Sequence, residues 1–595
     1  MRLTRFLSAA SLLLLSLTNV QLFAEEMNAT AKLHQLFDQV ESYQLSLNPI
    51  MAANKGDKSA RGKLPDYSSQ AYAKKAEKLE RFRQQLLSIA TDSLSTEDKV
   101  SYQMMLRNLD IQLSDINYKS YQMPLTAEYG FHIQAASLGE RLSFKTLDDY
   151  ENYLTLLAQV PTFFQQNIDN MKAGLARNFS VPQQVLAGYS DGIAAYIQED
   201  PSQSVWYKPF AQLAAGITES EAEKLREKAK NVIKNKVIAE FVNYKNFFDK
   251  EYYPKAKKTI AATDYPDGKA FYQAQVKRYT TLDLTPEQIH EIGRKEVKRI
   301  RAEMEQVIED TGFDGSFAEF LNFLRTDPQF YAKTPEELLK EAAYISKKMD
   351  HKLPKFFGKL PRQPYGVVAV APEIAPKYTT GRYSGAPLDS TRAGEYWVNT
   401  YALDKRPLYN LEALSLHEAV PGHHLQTALA KELDHLPKFR QNTYISAFGE
   451  GWGLYSERLG LEAGFYQDPY SNFGRLTYEM WRAMRLVVDT GMHAMGMSRA
   501  EAIKLMEDNT ALSTHNVRTE IDRYISWPGQ ALSYKLGEIK IRELRAKAEQ
   551  ALGQDFDIRK FHDAVLGQGS VPLSVLEDQI NDFIRQQKAE DAKTE

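Results

Sequence analysis

The segment NLEALSLHEAVPGHHLQT, residues 410–427, carries most of what the sequence says about this chain. Only 11 of the 595 residues are histidines, yet His417, His423 and His424 all lie in this segment, together with Glu418. Histidine is the commonest metal ligand in proteins. A helical His-Glu pair followed one turn later by a second histidine is how zinc hydrolases hold their metal and place a general base. The segment therefore predicts a metal centre on a helix.

The spacing of the histidines departs from the usual His-Glu-x-x-His pattern. The fourth residue after His417 is Pro421, which cannot bind a metal, and His424 would lie roughly 10 Å further along an ideal helix. Proline interrupts the helical hydrogen-bond ladder and glycine adopts unusual dihedral angles, so a bulge at Pro421-Gly422 would bring His423 to the required place. We therefore prefer His417 and His423 as ligands, with His424 as second choice. The alternative is a helix end at which the histidines cap carbonyl groups.

A third ligand is predicted in the segment GEGWGLYSE, residues 449–457, which lies far enough downstream for a loop and a returning helix. Glu450 stands between large apolar side chains, where an unpaired carboxylate would be costly and a metal would satisfy it. Glycine is unfavourable inside a helix, so the three glycines of the segment indicate that another backbone or a substrate approaches closely. Glu457 is a candidate to support the ligands from behind. The alternative is that Glu450 is a surface residue of an amphipathic helix.

A polar stripe follows on a helix that is otherwise apolar. Arg485, Asp489 and His493 recur at every fourth position, and such a stripe must be paired if it is buried. Asp489 is a candidate to orient a ligand imidazole, and His493 is a candidate to face the site. A purely structural ion-pair stripe is the alternative.

Tyrosine and arginine donors near a zinc stabilise the oxyanion of a tetrahedral intermediate. The segment from residue 515 to 535 is dense in such groups. Its candidates are Tyr534, which we prefer, and Tyr524 and Arg518.

Composition and periodicity predict a mainly helical chain. Hydrophobic residues make up 43% of the sequence and charged residues 25%, and the net charge of −3 gives no reason to expect nucleic acid or an anionic membrane as partner. Apolar residues recur at three- and four-residue spacing in four long stretches. Helix starts are marked by Thr-Pro-Glu at Thr285 and Thr334 and by Thr96. The four stretches are 70–115, 217–250, 284–310 and 335–352.

One segment, residues 364–402, breaks the helical pattern. Val367 to Val370 and Glu395 to Thr400 predict two short strands, and the glycine-containing stretch from Tyr378 to Ala393 predicts an ordered loop between them. A small sheet is therefore expected just before the histidine segment.

The chain is expected to have a removable leader and one large domain. Arg2 and Arg5 precede a short apolar run and Ala24 is the expected cleavage point, so residues 1–24 predict a signal peptide; an uncleaved anchor is the alternative. Residues 25–595 are expected to form one domain, in which an N-terminal helical lobe to about residue 280 covers a C-terminal catalytic lobe, with a soft boundary near Pro254 to Gly268.

The sequence contains no cysteine, which bears on where the protein works. We expect no disulfide, no thiol nucleophile and no lipid anchor of the bacterial lipoprotein type. Together with the leader, this predicts a periplasmic or secreted protein that has no membrane segment after cleavage.

Three motifs resemble those of a known family. They are HEAVPGHHLQ at 417–426, GEGW at 449–452 and WPGQALSYKLG at 527–537. They resemble the bacterial domain-of-unknown-function family number 885, and the resemblance extends from about residue 30 to 590. That family is similar to the gluzincin-type zinc metallopeptidases, whose helical members include the thimet oligopeptidase and Taq carboxypeptidase groups.

The resemblance implies a mainly helical, two-lobed body with a deep substrate channel and a small sheet next to the active-site helix. By motif position, it makes His417 and His423 the zinc histidines, Glu450 the third ligand and Glu418 the general base. The strand at Glu395 to Thr400 resembles the edge strand on which such enzymes bind a peptide by main-chain pairing.

We therefore expect an exported hydrolase with one Zn²⁺ per chain that cleaves peptide bonds in short peptides. Glu418 would take a proton from the attacking water and pass it to the leaving amine, and Tyr534 would hold the oxyanion. Two alternatives remain: a metal-dependent amidase acting on a modified peptide, and a non-catalytic periplasmic binding protein with a structural metal. Peptide length, endo- or exo-action, oligomeric state and the metal used in cells are left open.

Overall fold

A computed structural model of the chain describes residues 29–372, 375–388 and 391–594. The expected signal peptide, residues 1–24, lies outside the described residues. The protein is 69% helix and 3% strand, which confirms the predicted mainly helical fold with a small sheet. None of the helices in the described ranges is both long enough and apolar enough to cross a membrane.

Contacts within the chain define two compact units, one ending at Thr259 and the other beginning at Ile260. This division falls inside the stretch from Pro254 to Gly268, and the expectation of one domain with a lobe boundary at about 280 stays a prediction. The helices of the first unit are 29–46, Pro49–Asn54, Ser69–Leu87, Thr96–Asn117, Phe131–Ala136, Leu147–Ala158, Val160–Ala176, Tyr189–Ala194, Lys208–Ala211, Glu219–Val232, Ala239–Phe247 and Tyr253–Lys255.

The second unit contains every residue of the predicted metal centre and all three strands of the sheet. Its helices are Gly268–Thr280, Pro286–Thr311, Phe317–Thr326, Pro335–Asp350, Leu353–Phe356, Leu411–Glu418, His423–Lys431, Lys438–Gln441, Ser446–Leu459, Pro469–Ala494, Arg499–Asn509, Thr514–Ser526, Ser533–Leu552, Ile558–Leu566 and Leu573–Thr594.

Two of the three predicted helix starts are capped as expected. The Thr285 and Thr334 side chains accept hydrogen bonds from backbone N–H groups three residues later, and a proline occupies the first turn of each helix. The third prediction is wrong by one residue. Ser95 caps that helix and Thr96 is its first helical residue, because Ser95 has the extended backbone that a capping residue needs.

The sheet has three strands, β1 (Tyr365–Ala369), β2 (Gly381–Ser384) and β3 (Gly394–Val398), in the order β1-β3-β2. β1 runs parallel to β3, and β2 runs antiparallel to it. The two predicted strands are present, but β2 lies in the stretch predicted to be a loop, because short strands rich in glycine and polar residues lack the usual alternating pattern.

The edge-strand expectation for Glu395 to Thr400 is wrong. β3 is the central strand, and its backbone groups pair with β1 on one side and β2 on the other. A central strand has no free edge that could receive a peptide. The free edges of this sheet belong to β1 and β2.

Backbone contact between two helices fixes the helix that carries Glu450. Helix Ser446–Leu459 crosses helix Ser533–Leu552, and a Cβ atom added to Gly451 would lie only 2.6 Å from the Gly537 Cα. A Cβ on Gly537 would overlap the Ala447 carbonyl oxygen. The two glycines therefore permit a helix crossing that no larger residue would allow.

We expect Gly537→Ala to lower the free energy of unfolding by about 1–3 kcal/mol, because the added methyl group forces the two helices apart. Equilibrium denaturation of the full chain would measure this. Gly192→Ala is the matched control, since Gly192 is also helical and has open space around its Cβ position. A Gly537→Ala protein as stable as this control would contradict the close crossing.

Candidate metal centre

The predicted bulge lies in the middle of the histidine segment. The first helix, Leu411–Glu418, is followed by Ala419 as its capping residue, and a second helix begins at His423. The segment therefore forms two helices rather than one. The Val420–Pro421 peptide bond is cis. A Cβ on Gly422 would overlap the His417 carbonyl oxygen, so only glycine fits this turn. The break sets His423 at the first position of the second helix.

Three side chains meet at this break. The His417 and His423 Nε2 atoms each lie 3.4 Å from the Glu450 Oε2 atom. One ligand atom from each residue lies within 4.8 Å of the other two, and the imidazole rings are nearly perpendicular, at 89°. The structure thus brings together the three residues that the sequence selected as metal ligands.

Glycines in helix Ser446–Leu459 account for its close approach. A Cβ on Gly453 would lie 2.6 Å from the His417 Cε1 atom, and one on Gly449 would overlap the Tyr444 ring. The helix therefore packs its backbone directly against the His417 imidazole. This agrees with the expectation that the glycines mark close approaches.

A buried carboxylate orients the first histidine. Glu457 Oε1 lies 2.8 Å from His417 Nδ1, and Arg482 forms an ion pair with the same oxygen at 3.2 Å. A carboxylate on Nδ1 keeps the proton on that nitrogen and leaves Nε2 free to bind a metal. Glu457 thus holds the position that supports the ligands from behind.

The polar stripe of helix Pro469–Ala494 is structural, and the expectation that Asp489 orients a ligand imidazole is wrong. Asp489 instead accepts a hydrogen bond from the Tyr272 hydroxyl at 2.6 Å. Arg485 pairs with Glu520, and His493 bonds to backbone groups. All three stripe residues find partners in the core, as a buried stripe requires.

The charges of the centre favour a bound cation. Burial works against a charged imidazole, but the Glu450 and Glu457 carboxylates outweigh it and raise the pKa of His417 to about 10. Burial opposes the charge on Glu450 as well, yet the two histidines hold the pKa of Glu450 well below its usual range. Two imidazole nitrogens and one carboxylate oxygen are a donor set that Zn²⁺ accepts. The residues present therefore fit a zinc ion.

Glu418 is held at the sheet, next to the cluster. Its Oε2 atom accepts a hydrogen bond of 2.8 Å from the backbone N–H of Tyr383 in β2. The Glu418 charge also contributes to the raised pKa of His417, so the two groups lie within electrostatic range of each other. Nothing in the sequence pattern marked Tyr383 as a partner of Glu418.

The His424 side chain contacts the sheet, whereas the His423 side chain contacts Glu450. The His424 Nδ1 atom lies 3.1 Å from the Tyr383 hydroxyl, and its ring centroid lies 4.5 Å from that of Tyr365 in β1. Burial lowers the pKa of His424 to about 4, so the ring is neutral. His424 therefore packs the second helix against the sheet and does not belong to the cluster.

The tyrosine with a direct hydrogen bond to the cluster is Tyr444, which the sequence analysis did not select. Its hydroxyl donates to Glu450 Oε1 at 2.9 Å, while 54% of the residue is exposed. Tyr534 lies within electrostatic range of Tyr444, with its hydroxyl 3.5 Å from Arg523. In the core, the Tyr524 hydroxyl donates a hydrogen bond to Glu520 and accepts one from Arg485. The other candidate donor, Arg518, is exposed.

Comparison with known proteins identifies related chains. A family model described as a bacterial protein of unknown function (DUF885) matches residues 49–580. None of the curated proteins compared with the sequence matches it.

Two solved structures resemble the chain over nearly its full length. One, from Colwellia psychrerythraea and provisionally described as a lipoprotein, is 27% identical; the match covers 94% of this chain and all of that chain (100%), with a TM-score of 0.86. The other, from Shewanella oneidensis and provisionally described as a lipoprotein of unknown function, is 18% identical; the match covers 92% and 99%, with a TM-score of 0.70.

The cluster predicts the metal content of purified protein. We expect one zinc per chain, lost in His417→Ala, His423→Ala and Glu450→Ala, because each removes one of three donors. His424→Ala should keep its zinc and is the matched control. Elemental analysis after reconstitution and gel filtration would measure the content. If His424→Ala lost its zinc and His423→Ala kept it, the second ligand would be His424 and not His423.

Glu457→Gln should weaken zinc binding by about 10–100-fold, because the neutral amide no longer fixes the His417 tautomer. Competition with a chromogenic chelator would measure the affinity. Asp489→Asn is the control, since Asp489 bonds to Tyr272 and should not affect the metal. Equal losses in both variants would mean that the effect comes from the core and not from His417.

Proposed function

Because this chain belongs to the DUF885 family of bacterial proteins, whose function is unknown, we propose its activity from the site itself: it is a zinc-dependent hydrolase that cleaves peptide bonds in short peptides. The observation that carries the proposal is the meeting of His417, His423 and Glu450 within 4.8 Å, beside a carboxylate held at the sheet. A kinship with gluzincin-type metallopeptidases is part of the proposal.

The number of ligands favours catalysis over a structural metal. Structural zinc sites are normally closed by four protein ligands, whereas catalytic sites keep one position open. Three residues, and no fourth, form the metal-binding group found among the residues that the structure describes. His424, which would have closed the site, faces the sheet.

Glu418 is suited to act as the general base. The Tyr383 N–H holds one of its carboxylate oxygens at 2.8 Å, which fixes the orientation of the other. In the proposed reaction, this carboxylate accepts a proton from the attacking water and delivers it to the leaving amine. The chemistry expected of a bound Zn²⁺ is polarisation of the scissile carbonyl and a lower pKa for water.

Tyrosine hydroxyls at the centre are candidates to donate to the oxyanion. The Tyr444 hydroxyl already donates to Glu450, which places a donor at the proposed ligands. Tyr534, the donor preferred from the sequence, stays a prediction. Both belong to the proposal because a preorganised donor is worth a large part of the rate.

A peptide substrate is supported by the outer edge of β2, which pairs with no further strand among the described residues. In this antiparallel strand the Tyr383 N–H points away from β3, toward Glu418. An extended peptide added to that edge would run beside the general base. We therefore propose for β2 the peptide-pairing role that the sequence analysis assigned to the strand at 395–400.

An exported location is also proposed. The two similar structures are provisionally described as lipoproteins, a class of exported protein. Since the sequence contains no cysteine to carry a lipid, we propose an unlipidated form of this chain.

Glu418→Gln should keep its zinc and lose turnover of a short-peptide library by about 10²–10⁴-fold, because the amide cannot accept the proton. Elemental analysis and mass-spectrometric product detection measure the two quantities. Glu412→Gln is the matched control: it lies on the same helix but accepts a hydrogen bond from the Tyr466 N–H.

Turnover that survives in Glu418→Gln would contradict the proposed mechanism. A zinc-loaded protein that cleaves peptide amides only in modified peptides would instead support the amidase alternative. A zinc-loaded protein without turnover on either class would support the binding protein with a structural metal.

A further inference from the structure

A cavity of about 260 Å³ lies in the second unit, against the helix Leu411–Glu418 that carries His417 and Glu418. Thr380 and Val398, at the adjoining ends of β2 and β3, form one wall, and Leu414 of helix Leu411–Glu418 forms another. Aromatic side chains, among them Tyr478 and Trp481, line the remainder. The volume is sufficient for a group of about the size of one amino-acid residue.

Arg406 places a guanidinium at this cavity. Within the ranges that the structure describes, its hydrogen-bond partners are the Tyr401 carbonyl and the Thr380 hydroxyl, each at 3.3 Å, and no carboxylate forms an ion pair with it. Burial lowers the pKa of Arg406, and the nearby Tyr478 and Asp404 only partly offset that effect. The acidic residue of the lining, Asp404, is already paired with Lys405 at 2.8 Å.

Asn410 also lines the cavity, but its side-chain oxygen is buried against helix Pro469–Ala494, next to Gly474. The charged partner that this cavity offers to a ligand is therefore the Arg406 guanidinium, which calls for an anion.

We propose that this cavity is a carboxylate-binding subsite that takes the C-terminal residue of a peptide, with the carboxylate on Arg406 and an apolar side chain against Leu414. A guanidinium binds a carboxylate through two parallel hydrogen bonds, which a neutral amide cannot replace. A peptide C-terminus supplies this anion together with the adjacent side chain. An acidic side chain supplies the same carboxylate chemistry and is the second source to be tested.

The cavity lies next to the proposed general base. Leu414 and Glu418 are one helical turn apart on the same face, about 6 Å along the axis. Thr380 directly precedes β2, the strand whose Tyr383 N–H holds Glu418. Burial raises the pKa of Tyr478, and the charges of Glu457 and Glu418 add to this shift, so this cavity residue lies within electrostatic range of the centre. Assigning the subsite to a substrate rests on the proposed function, but the binding itself does not.

The test is calorimetric titration of the full chain, freed of metal by a chelator so that no carboxylate can bind a metal ion. The probes are N-acetyl-L-leucine and N-acetyl-L-leucinamide, which differ only in the carboxylate. We expect the acid to bind at least about tenfold more tightly than the amide, because a charged hydrogen-bonded pair is lost in the amide. Arg406→Gln should remove this difference.

Lys405→Gln is the matched control, since Lys405 lines the same cavity but has its own partner in Asp404. It should leave both affinities within about twofold of the wild-type values. Thr514→Trp, at an exposed lining residue, should weaken both probes by filling the cavity. This second variant keeps the test valid if Arg406→Gln fails to fold, which thermal unfolding would reveal.

Three outcomes would overturn the proposal. The acid and the amide could bind equally, Lys405→Gln and Arg406→Gln could lose equal affinity, or neither probe could bind at millimolar concentration. N-acetyl-L-glutamate α-methylamide tests the other source: tighter binding than N-acetyl-L-leucine would assign the subsite to an acidic side chain, and weaker binding to a C-terminus. Absence of peptidase activity alongside selective binding would overturn only the proposed function.

Discussion

The centre depends on the contact between His417 and the helix Ser446–Leu459. This one helix supplies Glu450 on the Nε2 side of the imidazole and Glu457 on the Nδ1 side, at 3.4 and 2.8 Å. The contact is possible because Gly453 has no Cβ to collide with the ring, and because Gly451 and Gly537 let the helix lie against its neighbour. Burying two carboxylates beside two histidines is costly unless positive charge is present, so this packing creates the demand for a cation.

The break at Pro421-Gly422 and the small sheet complete the arrangement. The break turns His423 toward Glu450 and leaves His424 to pack against Tyr365 and Tyr383. The sheet in turn fixes Glu418 through a backbone N–H of β2. One side of the histidine segment therefore faces Glu450, and the other faces a strand edge. This combination is the physical basis of the proposed hydrolase that acts on extended peptides.

The cavity at Arg406 extends this picture along the same helix. Leu414 and Glu418 lie on one helix face, so the cavity and the base are successive positions beside a single element. If a peptide follows β2, its end would reach a guanidinium that has no carboxylate partner among the described residues. Charge and geometry then favour substrates with a free carboxylate, which links the two proposals by chemistry that can be tested separately.

The sequence by itself determined the helical class, the two main strands and the donor set. Local features of the sequence made it possible to predict His417, His423 and Glu450. These features are a Pro-Gly interruption between histidines, and a glutamate among glycines that a helix would otherwise avoid. The mainly helical fold followed from apolar periodicity over long stretches, which is also a local property.

Only the tertiary structure decided which groups surround that donor set. It selected Glu457, and not Asp489, from the two supporting residues that the sequence had suggested, and made Glu457 the partner of His417. It also made β3 central and β2 the edge beside Glu418, and brought Tyr444 into contact with Glu450. It also left Arg406 without a carboxylate partner in the described part of the chain. Each of these facts depends on contacts between residues far apart in the chain. Periodicity and spacing describe one element at a time, so they do not encode which elements meet or which side chain fills the space between them.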